Sequence, residues 1–311
     1  MMLGDLALYS DRLFMATVLV YVLAMVMHCA EYAFERAPAK VAVLVGAGAP
    51  AEEGAVAPAD PPTRSRADRF GGMAASLMIL GTLLHFGSIV LRGVAAQRWP
   101  LGNMYEFVSA ICLAAVVTWI VLQRRTGVSR AAGLFVLLPV VILLFLGGTV
   151  LYAPAAPVMP ALQSYWLVVH VTAISISSGL LFVPGVLSIL YLLRQAGRPA
   201  WLVEKLPSAD ALDRVAYRTT IIAFPLFTFA IIAGAIWAEA AWGRFWGWDP
   251  KETVAFVSWV IYASYLHARA TAGWRTGRAA CINIVGFAAV IFNLFFINMV
   301  VAGLHSYAGL G

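Results

Sequence analysis

Five histidines and one tryptophan-rich loop carry most of the chemistry that this 311-residue sequence can offer. His28, His85, His170, His267 and His305 each lie in or at the edge of an apolar run. An ionisable side chain is costly in such a run and by default marks a functional position. The loop reads Trp242-Gly243-Arg244-Phe245-Trp246-Gly247-Trp248-Asp249-Pro250-Lys251-Glu252, with Trp237 before it and Trp259 after it. Part of this is ordinary: tryptophan favours membrane interfaces, and Asp249, Pro250 and Glu252 suit an N-cap, an N1 proline and an N3 glutamate. An interfacial belt, however, needs one or two indoles per helix end, whereas here aromatics and glycines alternate within a single loop. Gly243 and Gly247 let backbone approach something flat, and indoles offer broad apolar faces with one donor each. The pattern suits a planar, partly apolar ligand as well as a belt.

Spacing sorts the histidines by depth. His170 comes about one turn into its run and His305 at the end of the last run, both at the level of the tryptophan loop. Neutral imidazole is a good axial ligand for haem iron. Two histidines from different helices can hold the iron from opposite faces, with Arg244 and Lys251 near its propionates. A hydrogen-bonded structural role is the alternative for each. His267 lies seventeen residues beyond Pro250, about 25 Å along a helix, so it belongs to the opposite end. His28 falls at a similar inner depth, and the pair admits either a second haem or two separately satisfied histidines. His85 sits about 10 Å below Arg92 along its helix, placed to steer or gate haem instead of ligating it.

The elements that must position these residues are membrane helices. Hydrophobic residues make up 62% of the chain and charged ones 12%, with mean hydropathy +0.86, against roughly 45–50% apolar content in soluble domains. Runs long enough to cross a bilayer, about 20 residues, fall at 11–35, 70–91, 103–123, 131–151, 165–193, 219–240, 252–272 and 280–304. An all-α polytopic bundle of about eight spans is the expected fold. Asp5, Asp11 and Arg12 precede the first run where a cleaved signal would be basic, so residues 1–37 are expected to remain as a helix. Residues 38–69, rich in Ala, Pro and Gly, read as a mobile cytoplasmic linker. Residues 70–311 form the seven-helix remainder, with its outer loop at 237–252. In the stretch from Arg194 to Arg218, Ser208 and Asp210 can cap a short amphipathic helix over Leu212, Val215 and Tyr217, lying on the membrane surface.

Of the twenty-one Lys and Arg residues, all but Arg12, Arg92, Arg98, Arg244 and Lys251 fall on one side of these spans. The positive-inside rule places that side in the cytoplasm and both termini outside. The net charge of +6 is thus a matter of topology, and no nucleic-acid partner is called for. Cys29, Cys112 and Cys281 lie inside apolar runs without a CxxC pair, which suggests neither a disulfide framework nor a dithiol site.

Three stretches are similar to the CcsA/ResC family of cytochrome c biogenesis proteins: Trp242–Glu252 with the downstream Tyr265-Leu266-His267-Ala268-Arg269, the helix of His170, and Gly303-Leu304-His305-Ser306-Tyr307. The segment from Pro100 to Glu106 resembles a further family stretch, and the resemblance spans about residues 70–311. It implies an outer haem b held by His170 and His305 under a loop containing Trp242, Trp246, Trp248 and Asp249, with Asp249 organising that loop. It also implies an inner uptake site at His267, whose second ligand is often credited to a CcsB/ResB-like partner, which would leave His28 spare. The implied activity is that of a holocytochrome c synthase component active with that partner. Haem is carried outward and its vinyl groups receive the two thiols of an apocytochrome c CxxCH segment, with thiol-reducing proteins as further partners. A bacterial plasma membrane fits the composition, and a thylakoid membrane fits a plastid homologue. Rival readings are a haem-delivery or exporter protein without ligase activity, a b-type cytochrome exchanging electrons with quinone, and a solute transporter.

Overall fold

The computed structural model describes residues 3–35, 65–158, 163–271, 274 and 277–305. Within them the chain is helical, in the order α1 (Leu3–Phe34), α2 (Arg66–Ala96), α3 (Met104–Thr126), α4 (Gly133–Thr149), α5 (Tyr165–Ala196), the single turn α6 (Ala200–Val203), α7 (Ala209–Trp242), α8 (Pro250–Ala270) and α9 (Gly277–Phe292). The last helix continues through a π turn, Asn293–Ile297. Seven of the long helices are long and apolar enough to cross a membrane. The exception is α8, which occupies the seventh expected run but carries Lys251, Glu252, His267 and Arg269 at its ends.

Local chemistry sets the helix ends. Ser65 and Asp68 form a capping box that starts α2, so residues 66–69 belong to a helix and not to the expected linker. Most of that linker lies outside the described residues. Ser208 accepts from the Ala211 N–H and starts α7. The surface helix expected near it is instead the first turns of α7, because Leu212, Val215 and Ala216 are buried in the bundle and the helix runs unbroken to Trp242. The last span ends earlier than the apolar run suggests, and beyond it Leu304 and His305 meet Asp249 at the end of the tryptophan loop.

Packing pairs α1 with α2 and α5 with α7, while α3 lies against α5 and α8 against α9. Within a membrane, helices associate through close packing of small residues, since lipid is as apolar as the protein. At Gly179 of α5, a Cβ would come within 2.5 Å of the Ala114 Cβ and 2.8 Å of the Ile111 carbonyl oxygen. Only hydrogen fits that α3–α5 crossing. The main core, with Tyr21, Trp119, Leu137, Phe182 and Leu187 buried, is built mostly from α1 to α5 and extends to Leu212 and Val215 of α7 and Ala280 of α9. Above it a buried ionic network pins the 98–106 loop. Glu106 receives Arg92 Nε at 3.0 Å, Arg98 Nη1 at 2.8 Å and the Gly102 N–H at 2.7 Å. Arg92 reaches Asp11 of α1 at 3.4 Å and also bonds the Ala153 carbonyl. The loop so held forms one wall of the cavity that follows.

Candidate functional site

An apolar cavity of about 190 Å³ opens between α3, α5, α7, α8 and α9 at the tryptophan-loop end of the bundle. Leu101–Met104 and Phe107 form one wall, Trp237 and Trp246 another, and His170, His305 and Lys251 reach its surface. His170 and His305, far apart in sequence, share this cavity.

The two imidazoles are held alike. Nδ1 of His170 donates to the Ala230 carbonyl at 2.8 Å, and Nδ1 of His305 donates to Asp249 Oδ1 at 2.8 Å. Among the described residues, Nε2 of each makes no hydrogen bond. A neutral histidine with its Nδ1–H fixed by a carbonyl or carboxylate presents the Nε2 lone pair in a set orientation, the usual arrangement of a metal-ligating histidine. The ring of His170 stacks on Trp237 with centroids 6.0 Å apart and planes 6° apart. Gly234, one turn before Trp237, makes room for it, since a Cβ there would lie 2.7 Å from the ring. His305 meets Trp237 at 5.7 Å and Trp242 at 4.9 Å, edge to face.

Asp249 ties the loop to the C-terminal turn. It is the N-cap of α8, in a capping box with Glu252 and with Pro250 in the first turn, as the sequence pattern predicts. Its Oδ1 accepts from His305 and the Lys251 N–H, and its Oδ2 from the Leu304 N–H at 2.8 Å. Burial alone would raise this carboxyl. The hydrogen bonds from His305 and the two backbone N–H groups outweigh it and hold the pKa at about 2.

The tryptophans divide by position. Trp246 lines the cavity, while Trp242 buttresses His305 from behind. Trp248 is 67% exposed, edge-on to Trp246 at 5.8 Å, with φ at +56°. That left-handed conformation is unfavourable for a bulky residue. Glu252 Oε2 imposes it by accepting from both the Gly247 and Asp249 N–H groups, at 3.0 and 3.1 Å. Trp237, which the sequence sets beside the loop without a role of its own, is what packs against both cavity histidines. It precedes the loop, and only its i,i+3 relation to Gly234 hints that it shares a helix face with the site.

The remaining histidines are elsewhere. His85 is fully buried between helices, its Nε2 2.9 Å from Ser109 Oγ and its Nδ1 3.5 Å from the Tyr21 hydroxyl. Both nitrogens are engaged and it is not among the residues that line the cavity. His28 is also fully buried, with Nδ1 3.0 Å from Glu31 and Nε2 3.3 Å from the Met78 sulfur. It lies on α1, which packs on α2 and α4, whereas exposed His267 lies on α8, which packs on α7 and α9. The fold does not bring that pair together. Ser306 and Tyr307 lie outside the described residues.

Residues 101–305 match the family model described as cytochrome C assembly protein. The cytochrome c biogenesis protein CcsA of Parasynechococcus marenigrum (strain WH8102) is 32% identical over 263 residues, covering 76% of this chain and 86% of the relative. That of Mesostigma viride is 32% identical over 267 residues, covering 74% and 87%, and that of Chlamydomonas reinhardtii 36% identical over 242 residues, covering 74% and 67%. Among solved structures, a chain named Cytochrome c Heme Lyase CcmF superposes with a TM-score of 0.62 over 95% of this chain and 47% of its own length, at 16% identity, which shows a shared fold. With the matched segment running from the Glu106-pinned loop to His305, the chain belongs to the CcsA family of cytochrome c biogenesis proteins.

Proposed function

We propose that this chain holds haem, as substrate, at the tryptophan-loop end of the membrane and presents it for covalent attachment to apocytochrome c. The observation that carries the reading is the matched pair of cavity histidines, each with Nδ1 fixed and Nε2 unclaimed among the described residues. The donor set suits haem b: two imidazoles from different elements, aromatic walls, and one cation at the rim. His170 and His305 are its axial ligands. Trp246 confines the macrocycle, Trp242 backs the His305 ring, and exposed Trp248 meets the incoming polypeptide. His267 serves an inner uptake site whose second ligand comes from a CcsB/ResB-like partner, with His28 not used.

In the attachment step each CxxCH thiol adds across a haem vinyl group. A C–S bond forms at one vinyl carbon and the thiol proton ends on the other, so no net oxidant or reductant is consumed. The contribution of this chain is positioning, since holding vinyl and thiol together supplies effective molarity. None of its own cysteines is needed: Cys112 is buried, and Cys29 and Cys281 lie within α1 and α9, away from the cavity. Thiol-reducing proteins keep the CxxCH segment competent. The membrane is a bacterial plasma membrane, with the thylakoid as its plastid counterpart.

The test is reconstitution of the full chain with its CcsB/ResB-like partner, haem and an apocytochrome, reading haem that survives denaturing electrophoresis. Thioether product appearing only when both membrane proteins are present is the expected result. Haem transfer without thioether formation would replace this reading by simple delivery, and quinol-dependent redox turnover would favour a b-type cytochrome.

A milder perturbation checks the positioning of His170. Gly234→Val should push the imidazole off the Ala230 carbonyl and weaken haem binding by about tenfold, as loss of an outer-shell partner does. Equal haem affinity in wild type and variant, measured by optical titration, would show that the ring's setting is immaterial.

A further inference from the structure

Lys251 stands apart from the other cations at this end of the molecule. Arg92 and Arg98 share Glu106, and Arg244 lies 3.9 Å from Glu252. The Lys251 ammonium has no carboxylate within ion-pair distance among the described residues. Its contacts are the Asn298 Oδ1 and the Phe107 ring, 5.8 Å away, and it reaches the cavity surface. An ammonium has three donors, and a charge in an apolar wall is stable only when paired and hydrogen-bonded. One amide oxygen does not complete that requirement.

The surroundings are built to present this ammonium. The π turn Asn293–Ile297 resets the register of α9, a device that often occurs at functional sites. It lets Asn293 Nδ2 donate to the Lys251 carbonyl at 3.3 Å, and Asn298 Nδ2 donate to the Leu294 carbonyl at 2.7 Å, which aims the Asn298 oxygen at the ammonium. Asn293 also lines the cavity, where its Oδ1 is buried without a partner.

We propose that Lys251, oriented by Asn298, is the position in this cavity that receives a carboxylate of the bound ligand. This rests on the haem reading above, in which that carboxylate is a haem propionate. Arg244, which the loop composition offers equally, is folded against Gly247 and Glu252 instead. Propionates and vinyl groups leave opposite edges of the macrocycle. Gripping the propionate edge at the start of α8 therefore selects one rotation of the ring about its axial ligands and turns the vinyl edge away from Lys251. Lys251 is on this account a positioning residue for the attachment reaction.

The test is optical titration of the purified full chain with haem and with haem dimethyl ester, whose carboxylates are blocked. Wild type is expected to prefer the free acid by about tenfold, equivalent to ~1.4 kcal/mol. Lys251→Met should lose that preference while keeping the axial-ligand absorption spectrum, and Lys251→Arg should retain it. Equal affinity of wild type for the two compounds would overturn the proposal without any variant, as would an undiminished preference in Lys251→Met. Wild type binding neither compound would instead remove the haem reading itself, and this assignment with it.

Discussion

Replacing His170 and His305 together by glycine is expected to reduce haem co-purifying with the chain by at least about tenfold and to abolish cytochrome c maturation, with millimolar imidazole restoring both. Each histidine supplies one Nε2, and each donates its Nδ1–H to a fixed acceptor, the Ala230 carbonyl or the Asp249 carboxylate. Glycine leaves a space the size of the lost ring, so free imidazole can occupy it. Alanine or larger residues would begin to fill that space and obscure the rescue. The single variants should each keep some haem with a spectrum shifted by loss of one strong axial ligand, and each should recover with imidazole. Thermal unfolding of the double variant in detergent separates ligand loss from damage to the α5–α7 contact, to which His170 also contributes through Ala230 and Trp237. Unchanged haem content and maturation would sink the axial-ligand assignment, and the tryptophan loop would then be an interfacial belt.

The bundle and the cap of α8 were legible in the sequence because both are local. Apolar runs locate helices whatever surrounds them, and Asp249-Pro250-Lys251-Glu252 specifies a helix start through bonds among neighbours in the chain. What depends on which helices become neighbours was not legible. His28 and His267 lie at comparable depths, yet α1 and α8 are packed into different parts of the bundle, and α2 supplies Met78 to close off His28. Trp237 reads as one more interfacial indole until α5 brings His170 against its face. The start of α7 was misread for a different reason: polar residues such as Asp213, Arg214 and Arg218 break the apolar run before the helix itself ends. Its 34 residues extend to about 50 Å, well beyond a hydrocarbon core of about 30 Å. Asp213 is there satisfied by Arg269 of α8 at 2.7 Å, a pairing that no hydropathy window registers.

Asp249→Ala is expected to lower haem affinity by ten- to a hundredfold, the range found when the outer-shell partner of a ligating histidine is removed. The same change removes the N-cap of α8, which costs about 1 kcal/mol, so by itself it confounds loop collapse with loss of the histidine's partner. Asp249→Asn separates them. Asparagine caps as well as aspartate, and its carbonyl can still accept from His305, but the anion is gone and its amide now faces the Leu304 N–H. A carboxylate partner raises the basicity of an imidazole ligand, so the Asn variant should keep near-wild-type thermal stability while its haem midpoint potential moves positive. A purely structural aspartate would leave that potential unmoved. The pH dependence follows from a carboxyl held at about 2 instead of the ordinary 3.8. A depressed carboxyl contributes stability that is complete above the unfolded value and is lost as pH falls through the folded one. The Asp249–His305 link is therefore constant from pH 8 to about 5 and fails only between about 4 and 2. The stability of the haem-free chain should fall along this acid limb in wild type and not in the Asn variant; an identical limb in both would assign acid destabilisation to another group and leave Asp249 with the cap alone.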